Sequence, residues 1–369
     1  MIIYWSMLAF TGLLAILQRG ENNRISFDGA EENKKLSWFF VTLFGAYLVF
    51  WIGLRSGISD TNAYIHNYEH IPLGFDNLGS YLDSVIKGKG FYLYAFLFKN
   101  FFLTNYHAWL FSLTLIMVFC VLHVYYQKSE NFAYTAFLFI SSCSFTWLFN
   151  GIRQFLAVCI LFCFSKWIEE NKTIRYILIT LIASSIHNTA LIFIPIVIFL
   201  RKKDVWKRRT ILIIIAFIGI VFFADDVLDI FTQTEIGGEY TDALNDSTGS
   251  NIFRVLIAMV PCVLSFIKRK IIEEEGNDFI KLCVNMSIFT VGFYSFATVT
   301  NGILVGRIPV YFELYNFILL PWLIKHGFKS KDQTVLNIVC VVLYVLYFYY
   351  QINLTWHLFY ISDFTGWVS

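Results

Sequence analysis

The feature that most restricts this chain is the length of its apolar runs. They recur from the first residues to residue 352, and most are close to what a helix needs to cross about 30 Å of hydrocarbon. Of the 369 residues, 57% are hydrophobic and 15% charged, where a soluble domain carries about 25% charged residues. At membrane depth each backbone N–H and C=O must find its partner within its own helix. The fold class that follows is all-α: a polytopic integral membrane protein of roughly 10–12 transmembrane or re-entrant helices. The spans read as one membrane domain over residues 1–369.

Runs at 1–18, 36–54, 108–126, 132–149, 152–168, 210–228, 251–267, 279–298, 303–324 and 335–352 read as spans. The first has no basic start and no small-residue cleavage site, so it reads as a retained span. Residues 91–103 are too short to cross and carry Lys99, which fits an interfacial or re-entrant helix. Residues 175–200 are long for one span and short for two. With Ser184, Ser185, His187, Asn188 and Pro195 inside, they read as a broken or re-entrant pair. Asn150-Gly151 is a break signal just before Arg153. All seven cysteines lie in apolar runs without a CxxC pair, so neither a disulfide framework nor a zinc site is expected.

Lysine and arginine in short loops set orientation. Basic clusters at residues 201–209, 268–270 and 325–331 alternate with a loop at 229–250 that has none. The basic loops are therefore expected in the cytoplasm, with the long polar loop 55–90 and the loop 229–250 outside. If residues 175–200 enter and leave on one side, they turn near His187 at the outer face. Arg55, Arg153 and His187 then meet at the external surface. If residues 91–103 span instead, Arg153 faces inward.

An ionisable side chain in hydrocarbon is costly and usually faces a cavity or a substrate. Arg55, with Asp60 and Tyr64 close behind, is either an interfacial anchor or an arginine that grips phosphate, since its fork of donors matches phosphate oxygens. Arg153 and His187 carry the same two readings: a snorkelling arginine and a packing histidine, or functional groups. Arg254 opens the run at 251–267 on the outer side. Arg307 lies two residues before Pro309, where a helix bends, with Glu313 as a salt-bridge partner or cavity carboxylate. His66 and His70 share a helical face but lack a third ligand, so a solvated loop is the better reading. Asp225, Asp226 and Asp229 read as a solvated helix end rather than a magnesium site. Gly302 and Gly306 have packing spacing, and no P-loop or GxSxG motif occurs.

Four segments together, in order, resemble the EpsG family and, more broadly, the Wzy-type polymerases of O-antigen and exopolysaccharide. RSGISDTNAY resembles an Arg…Asp…Tyr element after an early span, and NGIRQFLA, with Arg153 and Gln154, is the most specific piece. ASSIHNTALIFIP resembles the Ala-Ser…His…Ala-Leu…Pro element, and GRIPVYFELYNFILLP a later Arg…Tyr-Phe…Pro element. One departure is Lys89 before Gly90-Phe91, where relatives tend to carry an acid.

The resemblance implies a glycosyltransferase of the bacterial inner membrane, a GT-C-like bundle with a periplasmic-facing cavity. It would move a growing glycan from undecaprenyl pyrophosphate to the non-reducing end of an incoming undecaprenyl-pyrophosphate-linked repeat unit. Its partners would be that lipid-linked oligosaccharide, membrane lipid and a chain-length regulator protein, and no nucleic acid. Arginines would stabilise the charge building on the diphosphate leaving group. Arg55, Arg153, Arg254 and Arg307, with Gln154 and Tyr64, are the candidate binding residues. His187 or Asp60 would take the acceptor hydroxyl proton, His187 having the pKa better matched to neutral pH. The acidity of the leaving group lessens the need for a strong acid or a metal, so no obligatory cofactor is expected. Tyr64, Tyr68 and Tyr92 are candidates to stack on sugar rings. A lipid-linked oligosaccharide flippase would want cations central to the bilayer in two repeated halves. A membrane acyltransferase would want its histidine reachable from the cytoplasm.

Overall fold

The computed structural model describes residues 1–26, 36–102, 105–200, 204–233, 249–302 and 305–368. It is that of an all-α polytopic membrane protein. Among the described residues, four helices are long and apolar enough to cross a membrane, and a fifth crossing is made if the bent pair Arg208–Phe222 and Ala224–Ile230 counts as one. Six shorter apolar helices accompany them. The chain packs as two compact units, residues 1–197 with 334–369, and residues 198–333.

In the first unit α1 (Ile2–Ser26) and α2 (Trp38–Gly53) are followed by three helices of the long loop: α3 (Thr61–Glu69), α4 (Leu78–Ser84) and α5 (Lys89–Phe101). Then come α6 (Tyr106–Lys128), α7 (Phe132–Ser141), α8 (Ile152–Cys163), α9 (Lys166–Glu169), α10 (Thr173–Ile186) and α11 (Phe193–Leu200). Side chains start these helices where the sequence offers an Ser or Asn: Ser37, Asn105 and Asn131 each accept an N–H of the first turn. α2 packs along α6, α6 along α8, α8 along α10, and α1 along α7. The run 132–149 is not one helix. α7 ends at Ser141, Cys143 takes a left-handed φ of 65°, and Ser144–Leu148 forms a tighter turn. The hydroxyls of Ser142 and Thr146 bond locally to Phe139 and Cys143 carbonyls, an alternative to the helical ladder that apolar periodicity does not reveal.

Lys99 has a use that its sequence position did not suggest. Its buried ammonium donates to the carbonyls of Tyr68, Glu69 and Ile71 at 3.1, 2.8 and 2.8 Å. It thus caps the C-terminal end of α3 and pins α3 to α5. The chain's last residues return to this region. A short hairpin of β1 (Ile361–Ser362) and β2 (Trp367–Val368) bonds through Ile361 O to the N–H of Ser56 at 2.8 Å, and through Ser362 Oγ to Leu54 O at 2.6 Å.

The second unit holds α12 (Arg208–Phe222), α13 (Ala224–Thr232), α14 (Ile252–Ile267), α15 (Arg269–Glu274), α16 (Asp278–Val299), α17 (Val310–Glu313) and α18 (Asn316–Gly327). α16 is its centre, packed on by α12, α14, α17 and α18. The run 210–228 turns by 86° between α12 and α13, where Asp225 and Asp226 enter, so it is not a straight span. The run 303–324 is likewise broken, into a turn at Val305–Arg307, then α17 and α18. The last long helix, α19 (Ser330–Tyr349), widens into a π turn at Tyr350–Thr355. The basic residues Arg201, Lys202 and Lys203, the loop residues Arg24, Lys34 and Lys35 as to side chain or path, and most of loop 229–250 lie outside the described residues.

Candidate functional site

Arg153 is where the first unit gathers most of its unusual features. Gly151, in a left-handed conformation with φ 66°, ends the preceding turn, and Arg153 stands in the first turn of α8. No side chain caps that helix. Instead the Gly151 N–H donates to Asp60 Oδ2 at 3.1 Å, so a carboxylate at the start of α3 holds the start of α8. The guanidinium is half-buried among three further groups. Nη1 donates to the Lys87 carbonyl at 3.3 Å, the Tyr92 ring lies under Cζ at 5.7 Å, and the Tyr64 hydroxyl accepts from the same side chain. Burial pushes the Tyr64 phenol above its ordinary range, and Arg153 pulls it part of the way back.

Gly88 brings the end of α10, at Ile186 just before His187, to the same place. Its φ is 76°, and a Cβ there would stand 3.1 Å from Arg153 Nη1 and 3.0 Å from the Ile186 carbonyl oxygen. Two residues on, Gly90 packs against Ser185. The Lys87–Gly90 stretch is therefore a thin wedge of backbone between the start of α8 and the end of α10. At positions 88 and 90 only a residue lacking a side chain fits. The 175–200 run is broken as its polar residues imply: α10 stops at Ile186, His187 is extended, and Asn188–Ile192 forms a tight turn before α11. His187 Nδ1 is hydrogen-bonded with Thr189 Oγ1 at 2.7 Å, which fixes the ring.

Arg55 is close behind but in a different setting. It is 1% exposed, its Nε donates to Thr61 Oγ1 at 3.0 Å, and Nη1 donates to the Ile52 carbonyl. Burial pushes its pKa down to about 10, against the opposing pull of the phenols of Tyr360, Tyr64 and Tyr4. Tyr64 thus lies within electrostatic reach of both arginines. Gln154 is buried in α8, adjacent in sequence to Arg153 but inside the core. Tyr68 is also buried, stacked on Trp109 at 4.5 Å, so its faces are covered by protein. His66 and His70 are exposed, with ring centroids 4.1 Å apart. Among the described residues, no group of three or more His, Cys, Asp and Glu is placed to hold a metal ion.

The second unit places its two arginines on segments that meet. Arg254 is half-buried in the first turn of α14, which Asn251 caps. Ser250 N–H donates to Ala297 O at 2.8 Å, and Gly306 packs on Ser250 and Ala297. Arg307 follows Gly306, so both arginines belong to the end of this unit where α16 finishes. Ala224 and Val305 share a small apolar cluster with Phe296 and Ala297 there. Glu313 accepts from the Tyr294 hydroxyl at 3.1 Å.

The profile of the EpsG family matches residues 38–360, a stretch that takes in both units. The chain belongs to the EpsG family. No curated protein and no solved structure matches it. For this EpsG-family chain the matched region contains every candidate site residue from Arg55 to Glu313. Family membership points to a polysaccharide-polymerase type of role and to glycosyltransferase-like chemistry.

Two features of the site escaped the sequence reading. The wedge of Gly88 and Gly90 carries a usable signal, two glycines alternating with lysines at the head of a helix. The docking of residues 360–363 on the Arg55 segment carries none, because its partners are some 300 residues apart.

Proposed function

We propose that this protein is a surface-polysaccharide polymerase, of the O-antigen or exopolysaccharide kind. It takes a growing glycan on undecaprenyl pyrophosphate as donor and a lipid-linked repeat unit as acceptor, at the outer face of the bacterial inner membrane. The observation that carries the reading is the convergence on Arg153. A half-exposed guanidinium stands at a helix start, flanked by two phenols and a glycine wedge, beside a histidine-bearing helix break.

In the reaction an acceptor hydroxyl attacks the anomeric carbon of the donor. The bond from that carbon to the diphosphate oxygen breaks, and the lipid diphosphate leaves with the electron pair. Negative charge grows on the leaving oxygen, and Arg153 is the group placed to meet it. Tyr64, through its hydroxyl, and Tyr92, through its ring face, hold the guanidinium. His187, oriented by Thr189, takes the proton of the attacking hydroxyl. Asp60 keeps the Gly151–Arg153 turn in place through the Gly151 N–H. Arg55 keeps the start of α3 in place through Thr61, and adds positive potential behind Tyr64. Within the second unit, Arg254 and Arg307 remain the candidate phosphate-binding cations.

Deleting the gene and running the surface glycan on a gel tests the proposal. Glycan capped at a single repeat unit is the expected outcome. Loss of all surface glycan would identify a flippase instead, and full-length chains lacking an acyl group would identify an acyltransferase.

A further inference from the structure

Arg153 is one end of a row of aromatic side chains that the proposed chemistry has not used. Tyr92, under the guanidinium, is followed one turn later on α5 by Phe96, so the two residues share one face of the helix. Phe96 is fully buried. Tyr81, on α4, stacks against Phe96 with ring centroids 5.7 Å apart and planes 29° apart. One side of the Tyr81 ring is therefore backed by a core ring, and the residue as a whole remains partly exposed. Tyr92 is half-exposed as well. The phenols of Tyr81 and Tyr92 influence each other electrostatically, as neighbours do. The row runs Arg153, Tyr92, Tyr81, on a rigid backing supplied by α5.

A buried core ring is an expensive support to build for a surface tyrosine that only marks the headgroup layer. It holds the outer ring at a fixed place and tilt, as a recognition surface requires. The chemistry of the row suits one ligand class. A pyranose presents a face of C–H bonds, slightly positive, that complements the negative face of an aromatic ring, and it carries hydroxyls that phenol oxygens can meet. The sugar joined directly to a diphosphate must lie within one bond of it. A diphosphate on Arg153 thus leaves its first sugars along this row.

We infer that Tyr81 and Tyr92 form a saccharide subsite that holds the sugars next to the diphosphate of a lipid-linked glycan. The inference rests on the reading of Arg153 as the diphosphate-binding group. Tyr92 serves both groups, and Tyr81 meets sugar alone.

The test uses the full chain in lipid nanodiscs and two probes: undecaprenyl diphosphate, and the undecaprenyl-diphosphate-linked repeat unit extracted from cells lacking the gene. Tyr81→Ala should weaken binding of the sugar-bearing probe about tenfold and leave undecaprenyl diphosphate binding as in the wild type. Tyr81→Phe keeps the stack on Phe96 but loses the hydroxyl, and should weaken binding about threefold, again on the sugar-bearing probe only. It decides the matter should the alanine variant fail to fold. Equal effects of either variant on both probes, or no effect on either probe, overturn the subsite. Arg153→Ala should weaken both probes together. If it weakens neither, the diphosphate reading falls; if it weakens both while the Tyr81 variants change nothing, only the subsite falls.

Discussion

Arg55 and Arg153 begin as the same kind of signal, an arginine at the edge of an apolar run, and the fold treats them in opposite ways. The Arg55 region is closed. The side chain is buried, two of its nitrogens are spent on Thr61 and Ile52, and the phenol of Tyr360 in the C-terminal segment is within electrostatic reach. The Arg153 region is open. Its guanidinium is half-buried, one of its contacts is a ring face, and a backbone wedge rather than side chains fills the space beside it. A cation already satisfied by protein has little to give a ligand, since the ligand would have to replace bonds that burial makes strong. A cation held in place but partly exposed can change partners during a reaction. On the proposed reading, the difference separates an arginine that holds the site from one that works in it.

Four experiments press on that difference. The largest effect is expected from Arg153→Ala, which should cut glycan polymerisation at least about 100-fold, or roughly 3 kcal/mol of transition-state stabilisation. Membrane abundance and melting temperature should stay near wild type. A normal glycan ladder from that variant would remove Arg153 from the site. Arg55→Met should do the reverse. Leaving Ile52 O and Thr61 without their donor should cost about 1–3 kcal/mol of stability, read as a lowered melting temperature in detergent. Should Arg55→Met stay as stable as the wild type while losing activity outright, the contrast between the two arginines collapses.

Gly88→Ala sharpens the comparison from the side of the wedge. A left-handed backbone with a Cβ costs about 1–2 kcal/mol, and here the new methyl also presses on Arg153 and Ile186. Turnover should fall about tenfold at unchanged acceptor affinity, while Gly79→Ala, in α4 where a Cβ meets nothing within 4 Å, should be silent. A silent Gly88→Ala would mean the wedge can open without consequence.

The smallest effect concerns the hairpin that docks beside Arg55. Burial alone pushes the Asp363 carboxyl up, but the Tyr106 hydroxyl, at 2.6 Å, and His107, at 3.0 Å, outweigh it and leave it below the usual carboxylate range. A depressed folded-state pKa means that its contribution is present above the ordinary value of about 3.9 and is lost as pH falls through the lowered one. Asp363 is exposed, so Asp363→Ala should cost only about 0.5 kcal/mol. The readout is hydrogen exchange at the Ser56 and Gly57 amides, which should speed up in the variant and at low pH. Unchanged exchange would show that the hairpin does not depend on its acid.

What sequence alone determined was the class of molecule and the identity of the unusual residues. Long apolar runs settle a helical membrane protein because hydrocarbon offers the backbone no other partners. The break at His187 was foreseeable because serines, asparagine and proline are poor material for the middle of a span. Family motifs marked Arg55, Asp60, Arg153 and Arg307 in advance. Only the tertiary structure decided which arginine is sealed and which is open, that Tyr68 is buried in the core while Tyr81 stays partly exposed, and that runs 132–149, 210–228 and 303–324 are broken helices. It alone showed Asp60 holding Gly151 from 91 residues away and the C-terminal hairpin lying on the Arg55 segment. The reason is that local periodicity and propensity report on neighbours along the chain. Burial and hydrogen-bond partnership depend on which distant backbone arrives, and no window of sequence contains that information.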